Sequence, residues 1–312
     1  MKKMLFVFNP HSGKALIKNK LLDIVNIFTG AGYEITIYPT QRALDGYDRV
    51  CEADGKYDLI VCSGGDGTIN EVLAAVMQLR KEKPVIGYIP AGSTNDFARS
   101  LGIPTDMIKA ASLIENGKTC NCDIGCMNGH YFNYIAAFGL FTEVSYKTPQ
   151  AIKNILGHQA YFLESVKSIT NIKTYEMEVY CDEGVYIGRY IYGMISNSTS
   201  IGGFKGISGR EVALDDGKFE VVLVKAPEDF LQLNEAVLAV FGGRYVESDM
   251  VIRFKTSHMV MVAKEAVAWT LDGENGDEHE RVEIDVIPNA VKIICGDAKS
   301  LQGSSEDLSL SE

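Results

Sequence analysis

The most restrictive feature of the sequence is the junction Ser63-Gly64-Gly65-Asp66-Gly67-Thr68. Before it lies the apolar run Asp58-Leu-Ile-Val-Cys62. After it, Ile69, Val72, Leu73 and Val76 recur with the helical period. A strand that hands over to a helix through a few glycines is a βα unit, and such units build parallel sheets covered by helices. The rest of residues 1–120 repeats this order. Leu5 to Phe8 reads as a first strand, broken by Asn9-Pro10-His11-Ser12-Gly13-Lys14. Leu21, Ile24, Val25 and Phe28 mark a helix closed by Gly30 and Gly32. Tyr33 to Tyr38 alternates as a strand, residues 42–53 read as a helix, Val85 to Ile89 as a strand, and a short helix begins near Asp96.

The pattern changes after about residue 124. Strand-like segments dominate: Tyr131 to Ala137, Tyr175 to Cys181, Ile187 to Ser196, Phe219 to Lys225, His258 to Ala263 and Ala290 to Cys295, with helices near 152–170 and 228–242. Strands separated by turn signals suggest a sandwich or barrel-like domain. A chain of 312 residues also exceeds one typical core. The expected organisation is an α/β domain over 1–124, a β-rich domain over 125–298 and a polar tail over 299–312.

The net charge of −11 argues against nonspecific nucleic-acid binding and requires any contact with an anionic membrane to use a local basic patch. No apolar run reaches the roughly 18 residues of a membrane-spanning helix. The apolar stretch after Met1-Lys2-Lys3 ends at Asn9-Pro10, too early for a signal peptide, so the cytoplasm is the default compartment. The seven cysteines are scattered, and Cys120, Cys122 and Cys126 read as strand residues rather than metal ligands.

The 63–68 junction reads as a phosphate site. Glycines there permit positive φ and let backbone N–H groups approach a ligand, and the following helix N-terminus favours an anion. Thr68 has two roles open to it, capping that helix or meeting a phosphate oxygen. The Gly-Lys-Ser/Thr of a Walker A loop is absent, and Asn70 stands where a dinucleotide fingerprint needs glycine. Asp66 would repel a bare phosphate, but it makes sense facing Mg²⁺ or a hydroxyl proton near a transferred phosphoryl group. The plain alternative is a tight strand-to-helix turn.

Gly64-Gly65-Asp66-Gly67-Thr68-Ile69-Asn70-Glu71 resembles the nucleotide-binding signature of the diacylglycerol kinase catalytic-domain family, specifically its soluble bacterial members. Three further stretches carry the resemblance. Asn9-Pro10-x-Ser12-Gly13 is similar to the family's opening motif, with Lys14 placed for a phosphate contact. Pro90-Ala-Gly92-Ser93-Thr94-Asn95-Asp96-Phe97 is similar to its second signature, with Ser93 where threonine is usual and Thr94 where a small residue is usual, so either hydroxyl is open to the nucleotide. Thr270-Leu271-Asp272-Gly273-Glu274 is similar to its third. The resemblance implies a three-layer, NAD-kinase-like or Rossmann-like α/β domain with a parallel sheet, followed by a β-sandwich-like C-terminal domain. It implies ATP and Mg²⁺ as cofactors and a lipid hydroxyl as acceptor, diacylglycerol foremost. Thr40, Gly64 to Asn70, Ser93, Asn9 and Lys14 would then bind the nucleotide. Asp66 and Asp96 would organise Mg²⁺ through water, and Glu274 would take the acceptor's proton, all three in a cleft between the domains.

Asp215-Asp216-Gly217-Lys218 is a strong turn signal. Related kinases use this aspartate for a structural Mg²⁺; carried over, the ligands are Asp216 and the carbonyls of Ala213 and Lys218, with a bare turn as the equal alternative. Asn197 to Gly203 resembles a loop of the second domain. Lys147, Lys153, Lys167 and Lys173 would form the basic patch for peripheral association with a membrane, where the lipid substrate is met; any one of them alone reads more readily as a solvated helix-face lysine. No motif fixes the oligomeric state, and a homodimer is compatible with the reading. The rival functions are an NAD-kinase-like or sugar kinase, which shares the glycine junction but not Asn95-Asp96-Phe97 or Leu271 to Glu274, and a non-catalytic lipid or nucleotide sensor.

Overall fold

Met4 through Phe8 are all buried, so strand β1 (Lys2–Phe8) needs apolar cover on both faces, the condition of an interior strand in a parallel sheet. The computed structural model describes residues 1–140, 172–198, 200–201, 204–205, 212–241 and 247–296. The expected helix near 152–170, Lys147, Lys153, Lys167 and the tail lie outside them. The chain divides into two compact units, residues 1–121 with 291–312, and residues 122–290. The sequence reading kept 125–298 together. Its apolar pattern shows a strand near 290–295 without showing that the chain there returns to the first unit.

In the first unit β1 pairs in parallel with β2 (Tyr33–Pro39) and with β3 (Leu59–Gly64), and β3 pairs in parallel with β4 (Val85–Pro90). Ile293 adds a parallel pairing to Ile86 of β4. The helices are α1 (Ile17–Gly30), α2 (Asp45–Cys51), α3 (Asp66–Gln78), α4 (Asp96–Ser100) and α5 (Met107–Asn116). Each longer helix buries one stripe: Ile17, Ile24 and Phe28 in α1, and Ile69, Val72, Leu73 and Val76 in α3. Asp106 caps α5, its side chain accepting N–H bonds from Ile108 and Lys109. The order β2-β1-β3-β4 reverses direction between β1 and β3. At such a switch point the loops leaving the carboxyl ends of the two strands part, which is where open α/β sheets bind ligands.

The second unit is antiparallel. Its strands are β5 (Lys118–Met127, entering from the first unit), β6 (His130–Phe132), β7 (Ile135–Gly139), β8 (Tyr175–Cys181), β9 (Gly184–Ser196), β10 (Ser200–Ile201), β11 (Phe204–Lys205), β12 (Phe219–Lys225), β13 (Val251–Thr256), β14 (His258–Leu271) and β15 (Glu274–Cys295), with helix α6 (Phe230–Phe241) before β13. β9 pairs with β7, β8 and β12, and β14 with β7, β8 and β15. Trp269, Phe138 and Tyr175 pack ring to ring in its core, and Phe132 meets Phe219 edge-on. Strict alternation in β8 buries Tyr175, Met177 and Val179 and exposes the residues between.

One expected strand is two. Tyr131 to Ala137 reads as continuous, yet β6 ends at Phe132 and β7 starts at Ile135. The amides of Asn133, Tyr134 and Ile135 bond a side chain, Asp272, instead of a neighbouring strand.

Candidate functional site

The glycine junction is shorter than a loop. β3 runs through Gly64 and α3 starts at Asp66, leaving Gly65 as the whole connection and the helix N-cap. Gly64, Gly65 and Gly67 do not adopt positive φ. Their reason is close approach. A Cβ on Gly64 would lie 2.4 Å from the Cβ and Oγ1 of Thr68, so only glycine lets the helix turn this tightly off the strand. Thr68 is buried in that contact, and α3 has no side-chain N-cap, so the capping role considered for Thr68 is not taken up.

The segments after β1, β3 and β4 meet backbone to backbone. Asn9 N–H donates to Ser63 O at 2.9 Å, and Ala91 N–H donates to Gly64 O at 2.8 Å. A Cβ on Gly92 would come within 2.6 Å of Gly65 Cα, and one on Gly13 within 2.2 Å of Ala91 O. Asn95, at φ 53°, closes its loop by accepting Gly92 N–H and donating to Gly92 O, each at 2.9 Å. A carbon at any of these glycines would fill space that the packed backbones leave at the start of α3, whose first N–H groups precede any helical carbonyl.

Asp66 opens α3 and Asp96 opens α4. Asp66 is partly buried and its Oδ1 accepts Phe97 N–H at 3.4 Å. Burial, then the nearby Asp96 charge, push its carboxyl up to about 6, and the amides of Phe97, Asp96 and Asn95 offset only part of this. Among the described residues no cation pairs with it. Asp96 is 2% exposed, with an Arg99 guanidinium nitrogen 3.9 Å away. Two acids held together in a partly buried place, one of them carrying no cation among the described residues, have the chemistry to take up a divalent ion or a proton.

The other expected nucleotide residues divide into two groups. Thr40 is buried beside the junction, its N–H on Phe8 O at 2.9 Å. Asn9 turns its loop by accepting His11 N–H at 2.9 Å. Asn70 has a buried Oδ1, and Ser63 a buried Oγ, with no partner among the described residues. Orphaned polar atoms beside a glycine-lined cradle suit a bound polar ligand such as a nucleotide. Ile69, in contrast, is fully buried and its N–H bonds Gly65 O, so it supports the cradle rather than touching a ligand. Lys14 and Ser93 are exposed.

In the second unit Glu274 is exposed at the β14–β15 turn. Asp216 uses Oδ1 to accept Lys218 N–H and Oδ2 to meet Lys255 Nζ, both at 3.0 Å; Lys255 also reaches Glu220 Oε1 at 3.0 Å. That is a turn carboxylate neutralised by an ammonium, and a Mg²⁺ held by Asp216, Ala213 and Lys218 would compete with Lys255. Lys173 is exposed, its Nζ 5.1 Å from the ring centre of Tyr175. Sequence reading missed two acids of this unit. Asp123, 1% exposed, ties down the Asp216 turn by accepting Gly217 N–H and Asn289 N–H at 2.7 Å. Asp272, inside the third signature, is 4% exposed. Asp123 carries no motif; Asp272 lies within the third signature, but the resemblance assigns a role there only to Glu274.

The diacylglycerol kinase catalytic domain family matches residues 3–127, and the YegS C-terminal NAD kinase beta sandwich-like domain matches residues 137–295. A diacylglycerol kinase of Bacillus subtilis is 34% identical over 278 residues, 88% of this chain and 91% of that one. One from Staphylococcus epidermidis is 31% identical, covering 88% and 86%. The crystal structure of a putative diacylglycerol kinase from Bacillus anthracis superposes with a TM-score of 0.81 at 26% identity, over 95% of this chain and 96% of that one. An Archaeoglobus fulgidus NAD kinase in complex with ATP superposes with a TM-score of 0.51 at 15% identity, over 94% and 93%, a likeness of fold alone.

Proposed function

The chain belongs to the diacylglycerol kinase family, and from that premise we propose that it transfers the γ-phosphoryl group of ATP to a lipid hydroxyl, converting diacylglycerol to phosphatidic acid. The observation that carries the chemistry is Asp66, raised to about 6 beside Asp96 at the junction where three loops close on glycine backbones. A carboxylate there opposes a naked phosphate and favours a metal-bearing one. Mg²⁺, when bound with ATP, would neutralise charge on the phosphate oxygens.

The chain's own groups do the rest. The cradle of Gly64, Gly65 and Gly67 with the first turn of α3 holds the phosphates, with Asn9, Thr40 and Asn70 around it and Lys14 and Ser93 supplying exposed polar contacts. Asp66 and Asp96 are the residues that would hold the Mg²⁺ of the bound nucleotide. Glu274 accepts the proton of the acceptor hydroxyl as its oxygen bonds to the γ-phosphorus and the bond from that phosphorus to the ADP oxygen breaks. A positioned base of this kind contributes about 10²–10⁴ in rate. No described helix is long and apolar enough to cross a membrane. A diacylglycerol acceptor resides in a bilayer, and the chain would meet it at the membrane surface.

The test is an acceptor panel with labelled ATP: diacylglycerol, sphingoid and other lipid alcohols in detergent micelles, and NAD. Labelled phosphatidic acid is the expected product. Labelled NADP without labelled lipid would overturn the reading, and tight ATP binding with no turnover on any acceptor would make the chain a sensor.

A further inference from the structure

We propose that Asp272 is a positioning residue that acts through Glu274, clamping the turn that presents the proton acceptor; the proposal rests on the role given to Glu274 above. Leu271 pairs with Glu274 across the two-residue turn Asp272-Gly273. Both central residues have positive φ, 51° and 84°, the requirement of a type I′ hairpin, for which Asp-Gly suffices by itself. At such a tip an aspartate normally stands in water. Here Asp272 is 4% exposed, while Gly273, Glu274 and Asn275 are exposed.

A buried carboxylate is tolerated only when hydrogen bonds replace its hydration. Asp272 has them: its carboxylate accepts N–H from Asn133 at 2.7 Å, and from Tyr134 and Ile135 at 3.0 Å each. Its own N–H donates to Ile135 O at 2.8 Å, and Tyr134 Oη–H donates to its carbonyl at 3.4 Å. The gap between β6 and β7 is therefore a receptor for this one side chain, and its three amides are withheld from the sheet for it. A hairpin tip without such an anchor swings freely. A reacting group misplaced by about 1 Å can lose about 10²-fold in rate. Asp272 itself changes no bond in the reaction; the hydroxyl proton goes to Glu274.

The experiment is a double-mutant cycle on the full chain. Asp272→Asn, Glu274→Gln and the double variant are assayed for kcat and for KM of ATP. Asp272→Asn keeps the shape but turns one acceptor oxygen into a donor that faces an N–H. We expect kcat to fall about 100-fold with KM for ATP within about twofold, and the double variant to match Glu274→Gln within about twofold, because a clamp has nothing to position once the base is gone. Losses that multiply would overturn the proposal, since a general packing defect would act with or without Glu274. So would an Asp272→Asn rate within about threefold of the parent. A Glu274→Gln rate equal to the parent would instead remove the underlying role of Glu274, and is read from that variant alone. Should Asp272→Asn fail to fold, Gly273→Ala carries the test. Its Cβ would meet nothing within 4 Å, so it strains only the turn's left-handed backbone. Its kcat loss, about 10-fold from the strained backbone, should vanish on the Glu274→Gln background; persistence there would overturn the clamp.

Discussion

Asp66 in the first unit and Asp272 in the second are both withdrawn from water and both face three successive backbone amides. Asp272 accepts the N–H groups of residues 133–135 at 2.7–3.0 Å. Asp66 faces those of residues 95–97, but its bond to Phe97 N–H is 3.4 Å long, and a second carboxylate, Asp96, stands beside it. The first arrangement is closed: the fold supplies what the charge needs. The second is open: burial and a like charge outweigh the amides, so the group gains most from a cation or a proton brought from outside. Burial of an acid does not by itself mark chemistry; what marks it is how far its donors fall short of satisfying it.

The sharpest way to break that comparison is to remove each charge without changing shape. Asp66→Asn should lower kcat by about 10³-fold, yet raise stability at pH 7.5 by about 1–3 kcal/mol in metal-free, nucleotide-free protein, because the fold no longer holds an unfavourable charge. Asp272→Asn should lower stability by about 2–4 kcal/mol, because it sets a donor against donors in a buried pocket. Denaturant unfolding of both variants checks the signs. If Asp66→Asn destabilises as Asp272→Asn does, the two acids are alike and the distinction falls.

The pH dependence sharpens the same point. The Asp66 carboxyl is raised from an ordinary 3.8 to about 6, so the folded chain binds its proton more tightly than the unfolded chain does. The cost of the charge is absent below about pH 4, grows as pH rises to about 6 and is constant above it. The stability gap between Asp66→Asn and the parent should therefore open between pH 4 and 6.5 and then stay flat. A gap independent of pH would mean that it arises from packing. Activity should run the other way, kcat/KM falling as the carboxyl protonates below about pH 6.

Much of the first unit was legible in the sequence because each element there is set by local signals. The unbroken apolar run of β1, the period in α3 and the glycines at 64 and 65 place the strand, the helix and their junction. The family signatures bring Asp66 and Asp96 forward because chemistry of that kind needs acids at fixed spacing. What was illegible depends on distant pairing. The conformational reason for Gly64 is the bulk of Thr68, and that for Gly92 is Gly65, contacts that a reading of φ preference misses. In the second unit the break at Asn133-Tyr134 has no local cause, since its partner lies more than a hundred residues away. The return of residues 291–295 to the first unit is of the same kind.

A third acid arrangement lies between the open and closed cases and predicts the smallest effect. Glu220 is 4% exposed; burial outweighs the opposing pull of Lys255, 3.0 Å away and shared with Asp216, and leaves its carboxyl raised to about 7. Here a side-chain cation does what amides do for Asp272. Lys255→Met should cost about 1–2 kcal/mol, less than breaking a fully buried pair, because Lys255 is partly exposed and Glu220 can take up a proton instead. The sign follows from the raised carboxyl: losing its cation raises it further, so the loss should be larger at pH 8, where the charge must be held, than at pH 6. Equal losses at both would show that the ammonium contributes packing alone. The same variant bears on the metal expected at Asp216. If Mg²⁺ binds there with the carbonyls of Ala213 and Lys218, added Mg²⁺ should restore Lys255→Met more than it stabilises the parent, since the ammonium no longer competes for Oδ2. Equal response of the two proteins would leave Lys255 as the cation of that turn and Asp216 as a partner for lysine.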